Sequence, residues 1–160
     1  MAKKIVPPHG GALKPLLLQG EVCKRAVQEA ASYPVVRLSS RETSDLIMLA
    51  VGAFSPLNGF MVQEDYESVV DNMHLADGTL WPMPITLAVT KERADALAVG
   101  DQIALVDDES GELMGRITIR DKYAYDKNNE ATQVFRTPDG RHPGVAKIYE
   151  QGDYYLGGPV

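Results

Sequence analysis

One cysteine, Cys23, serves the whole 160-residue chain, so no internal disulfide can form and a reducing compartment is the simplest setting. Histidine is scarce too. His9, His74 and His142 stand far apart, and none belongs to an HExxH, HxxH or CxxC-linked pattern, so a zinc site is not expected. The chain also lacks a GxxxxGK[ST] loop and a GxGxxG turn after a strand, which argues against a self-contained nucleotide cradle. Apolar runs are short, and none approaches the ~20 residues of a membrane span. Lys3 and Lys4 are followed by Pro7, Pro8, Gly10 and Gly11, where a signal peptide would carry its apolar core. The expectation is a soluble, cytoplasmic protein without internal repeats or low-complexity tracts.

A basic excess is missing as well. The net charge is −6, and residues 101–130 concentrate the acids: Asp101, Asp107, Asp108, Glu109, Glu112, Asp121, Asp126 and Glu130 face only Arg116, Arg120, Lys122 and Lys127. Nucleic acid and anionic membrane both require a positive footprint, so neither is an expected partner. What the chain does have is 44% hydrophobic and 24% charged residues, the balance of an ordinary folded domain. Its length fits one domain with a sizeable core.

The central stretch, residues 54–87, organises the pattern. Ser55, Pro56, Asn58 and Gly59 read as turn residues, with Asn-Gly suited to positive φ, and Phe54, Leu57, Phe60 and Met61 press that loop onto a core. Tyr66, Val69, Val70 and Met73 fall on one helical face. Asp77-Gly78 turns the chain, Pro82 and Pro84 keep it extended, and Ile85, Leu87 and Val89 alternate as a half-buried strand. Before this stretch, residues 1–12 predict an extended arm anchored by Leu13, Leu16, Leu17 and Leu18. A helix from Glu21 ending at Pro34 carries Cys23, Ala26, Val27 and Ala30 on its buried face. Val35, Val36 and Leu38 form a short strand. Ser39 and Glu42 then have the spacing of a capping box, opening a helix with Leu46, Leu49, Ala50 and Ala53 on one face.

After it, residues 91–97 make a helical turn, and residues 103–106 and 113–120 alternate as an antiparallel hairpin. Asp126 caps a helix through Phe135 that buries Ala131, Val134 and Phe135. Residues 145–149 form a helical turn and Tyr154, Tyr155 and Leu156 a last strand, with residues 157–160 read as a connector.

Few side chains invite a chemical role. Cys23 reads as a packed thiol, since free cysteine behaves as a small hydrophobe. Ser39, Ser40 and Thr43 have no base nearby, and a helix start accounts for Ser39. The acidic tip at Asp107, Asp108, Glu109 and Glu112 lacks the ligand pattern of a calcium loop. His142, before Pro143-Gly144, is expected to fix a turn by hydrogen bonding. No catalytic, cofactor-binding or metal-binding residue is assigned.

PHGGAL at 8–13, FSPLNGFM at 54–61, Asp65-Tyr66, LADGTLWPMPITL at 75–87, DKNNEA at 126–131, RTPDGRHPGV at 136–145 and YYLGGPV at 154–160 together resemble the ATP sulfurylase family in the same order. That resemblance implies an α+β fold, a PUA-like β-barrel with several short helices packed around it, spanning residues 1–160 as a single N-terminal domain. It further implies a larger enzyme that joins sulfate and MgATP into adenosine 5′-phosphosulfate and pyrophosphate, or runs the reverse. The family's QxRNPxHxxH-type and GRDHAG-type segments belong to a following Rossmann-like catalytic domain that this chain lacks. Gln133 to Arg136 do not replace the first, nor Asp139 to His142 the second. The implied partners are that catalytic domain and, at full length, further copies of the enzyme, with MgATP as substrate and no cofactor in this chain. Isolated, the chain is expected to be inactive. The alternative is a stand-alone RNA-binding module, because PUA-like barrels elsewhere bind RNA.

Overall fold

The computed structural model describes residues 5–160; Lys3, Lys4 and the first part of the expected arm lie outside that range. In chain order the elements are α1 (Gly20–Ala30), β1 (Val35–Leu38), α2 (Ser40–Ala50), β2 (Gly59–Phe60), α3 (Gln63–Asn72), β3 (Leu87–Val89), α4 (Lys91–Asp95), β4 (Gln102–Asp107), β5 (Leu113–Thr118), β6 (Asp121–Ala124), α5 (Lys127–Phe135), α6 (Pro143–Glu150) and β7 (Tyr154–Pro159). Among the described residues no helix is long and apolar enough to cross a membrane.

Among the described residues the strands pair into two sheets. β1 runs parallel to β4, and β4 pairs antiparallel with β5, placing Ile103 opposite Ile117. The second sheet is built around β7, which takes β3 along one edge and β6 along the other, then β2 at Gly158 and Pro159. Alternation predicts β4 with Ala104 outward, yet Ala104 is buried beside Ile103 and Leu105, as suits the middle strand of a sheet. A single core joins both sheets through Leu38, Leu49, Leu87, Leu105, Ile117 and Tyr155.

Local chemistry sets the helix starts. Ser39 Oγ accepts the Glu42 N–H and the Glu42 carboxylate accepts the Ser39 N–H at 2.9 Å, the reciprocal box expected from the spacing. Glu42 also accepts the Ala88 N–H at 2.8 Å, so the cap ties α2 to β3. Asp126 caps α5 through the Asn128 and Asn129 N–H groups.

Several expectations require correction; Ala53, for one, lies beyond the end of α2 and is exposed. Gly59 is not a positive-φ turn residue. It lies in β2, where a Cβ would collide with the Gly158 carbonyl oxygen, so glycine is needed for backbone approach. Gly157 and Gly158 are no connector but buried residues of β7, packed on the backbones of Met61 and Thr118. Met73 leaves the buried face of α3: it is the left-handed C-cap, with φ 57° and its side chain exposed. Strand β6 is not anticipated by the sequence; its DKYA pattern is short, and pairing with β7 creates it.

Candidate functional site

The most chemically organised place in the molecule is a carboxyl that sequence reasoning passed over. Glu130 sits one turn into α5 and is 5% exposed. Its Oε2 accepts hydrogen bonds from the Tyr66 hydroxyl of α3 at 2.8 Å and the Tyr155 hydroxyl of β7 at 2.9 Å. Gln151 Nε2 donates in turn to Tyr155 at 2.6 Å and to Tyr125 at 2.9 Å. Tyr125 donates to the Gly152 carbonyl and Tyr123 to that of Met61. The rings of Tyr125 and Tyr155 stack with centroids 3.8 Å apart, and Tyr66 meets Tyr155 edge-on.

Burial pushes the Glu130 carboxyl above its ordinary range, against the lowering effect of its two tyrosine donors. Burial and the neighbouring Glu130 charge likewise raise Tyr66 and Tyr155 well beyond ordinary phenols, and burial pushes Tyr125 up to about 12. Such hydroxyls stay protonated and serve as donors. The arrangement lacks a poised nucleophile, and its chemistry is that of a lock between α3, α5 and β7. A signal was available: Glu130 shares the helical stripe of Ala131 and Val134, where a solvated acid does not belong.

Beside the lock a cleft of about 140 Å3 is lined by Arg41, Thr86, Glu130, Lys147 and Gln151 among apolar neighbours. Its cations are already engaged. Arg41 pairs with Asp45 at 3.1 Å and donates to Gln151, while Lys147 pairs with Glu150 at 2.8 Å. Burial outweighs Arg41 at Asp45 and pushes that carboxyl up to about 6. A larger apolar groove of about 240 Å3 opens between the residue 16–18 arm, α1, α2 and β5.

The candidate residues of the sequence are not brought together. Cys23 is half-buried in the wall of the apolar groove, and α1 as a whole is more exposed than its periodicity predicts, with Val27 at 50%. Ser39 is the cap of α2, and Thr43 donates to Asp107 at 2.8 Å. His9 donates to the Leu80 carbonyl, and His74 engages that of Asn72. His142 caps α6, accepting the Gly144 N–H at 3.2 Å, the turn-fixing role expected of it. In the acidic tip, Asp107 accepts the Ser110 N–H and hydroxyl, and those bonds hold it below the usual carboxylate range. Among the described residues no group of three His, Cys, Asp or Glu gathers as a metal site.

The family model described as a PUA-like domain matches residues 6–160. Curated relatives named sulfate adenylyltransferase include those of Desulforamulus reducens, 53% identical, Pelodictyon phaeoclathratiforme, 54%, and Thiobacillus denitrificans, 48%, each matched over 98% of this chain. The chain spans about 40% of the length of these relatives. Among solved structures, a hexameric APS kinase from Thiobacillus denitrificans superposes with a TM-score of 0.71 at 28% identity, over 98% of this chain and 26% of that one. None of these relatives supports the RNA-binding alternative.

Proposed function

The chain belongs to the PUA-like domain family, and from that premise we propose that it is the noncatalytic N-terminal domain of a sulfate adenylyltransferase. The complete enzyme would join sulfate to MgATP, forming adenosine 5′-phosphosulfate and pyrophosphate or running the reverse. The observation that carries this reading is the extent of the likeness: about half of the residues are identical over nearly the whole chain, within relatives of more than twice its length. The site geometry agrees. Transfer of an adenylyl group needs preorganised positive charge around crowded phosphates, and here Arg41 and Lys147 are each paired with a carboxylate while Glu130 is enclosed by tyrosines. A rigid domain with internally satisfied polar groups is suited to holding a catalytic domain in place. Copies of the enzyme would associate at full length, in line with the hexameric state of the kinase relative.

A pyrophosphate-release assay tests this directly. With ATP and sulfate, the 160-residue chain should show no turnover above a blank, whereas a polypeptide carrying the catalytic region as well should be active. Sustained turnover by the shorter chain would overturn the assignment.

A further inference from the structure

The apolar groove has a composition that the tyrosine lock does not explain. Leu17, Leu18, Val27, Ala50, Met114 and Val160 line it. Three of those lining residues, Leu17, Leu18 and Val27, are themselves exposed large apolar side chains, at 60%, 41% and 50%. Apolar surface scattered singly is ordinary, but exposed apolar side chains gathered in the wall of one concavity mark a binding face. The charge in its wall is spent: Arg116 pairs with Glu29 at 2.9 Å. That leaves a face complementary to an apolar polypeptide rather than to an anionic ligand.

We infer that this groove seats the polypeptide that follows residue 160 in the longer sulfate adenylyltransferase relatives, so that the first apolar stretch beyond β7 lies against α1 and β5. The inference rests on the N-terminal assignment above. Val160 immediately follows β7, which is fixed in the second sheet, and it lines the groove itself. A continuing chain is therefore delivered to the groove at high effective concentration, with effective molarities reaching millimolar for short tethers. A concavity of about 240 Å3 takes a handful of side chains. Free association of a second copy would need roughly 800 Å2 from each partner, whereas a tethered segment needs far less.

Cys23, half-buried in the groove wall, supplies the probe. Alkylation at Cys23, followed by peptide mass spectrometry, is compared between the 160-residue chain and a polypeptide continuing through the catalytic region. The longer protein should react roughly tenfold more slowly or less, as a covered site does. Val27→Asp, on the exposed rim, should leave the melting of the short chain unchanged and restore fast alkylation in the long one. Equal rates in the two proteins overturn the inference, as does protection that survives Val27→Asp. Protection of the short chain that vanishes on dilution overturns it too, by assigning the groove to a second copy. A longer protein that covers Cys23 yet makes no phosphosulfate would defeat the proposed function while leaving the groove's occupant as inferred.

Discussion

Helices α1 and α5 read almost alike and meet opposite ends. Both are short and amphipathic, and α1 has the cleaner apolar repeat. Yet α1 buries only Ala30 within its span, while α5 buries Ala131 together with the carboxyl of Glu130. The difference lies in what is packed against them. α5 faces two tyrosines, Tyr66 and Tyr155, that supply both apolar area and hydroxyl donors, so a carboxyl is accommodated. α1 faces the groove and solvent, so beyond Ala30 its stripe is only half covered, with Val27 exposed. Periodicity reports which side of a helix is apolar, and the neighbours decide whether that side is covered.

The contrast can be broken by substitution. Tyr155→Ala removes a fully buried ring at the centre of the lock and should cost about 3–5 kcal/mol, read as a lowered midpoint in urea unfolding. Glu130→Ala strands the Tyr66 and Tyr155 hydroxyls without their acceptor; a loss of about 1–3 kcal/mol is expected from the same titration. Should that variant be as stable as the parent, the lock is decorative. Ser39→Ala removes the cap of α2 and should cost about 1 kcal/mol, seen as a reduced melting temperature.

Asp45 sharpens the comparison through pH. Its carboxyl is raised to about 6 when folded, against 3.8 ordinarily, because burial disfavours its charge. The folded state therefore holds the proton more tightly. Its stabilising contribution is fully present below pH 3.8 and is lost as pH rises through about 6. Relative to Asp45→Asn, the parent should lose stability between those limits, and matched urea titrations across that window check the sign. The smallest effect belongs to α1: Val22→Ser on its exposed face should shift the unfolding free energy of this chain by no more than ~0.5 kcal/mol.

Much of the fold was legible because its cues are local. The Ser39–Glu42 box, the Asp126 cap and the His142 turn each depend on atoms within three residues of one another, and each formed as the spacing required. The β4–β5 hairpin followed from period-2 alternation across a short acidic turn. Strand order was less legible: among the described residues β4 and β7 each became the centre of a sheet through pairing with strands distant in sequence. Glu130 was hidden because the hydroxyls that donate to it come from residues 64 and 25 positions away. Gly59 was misread for a related reason: the backbone that excludes a side chain there belongs to Gly158.

By itself, the sequence determined where helices start, which faces are apolar, that no disulfide can close within these 160 residues, and which family the chain resembles. Tertiary structure alone decided that the glycines after Tyr155 are strand interior, that Glu130 is enclosed by hydroxyls, and that the stripe of α1 is left open. Propensity and capping act over a few residues of chain, whereas burial is a property of space, fixed only once distant segments have met.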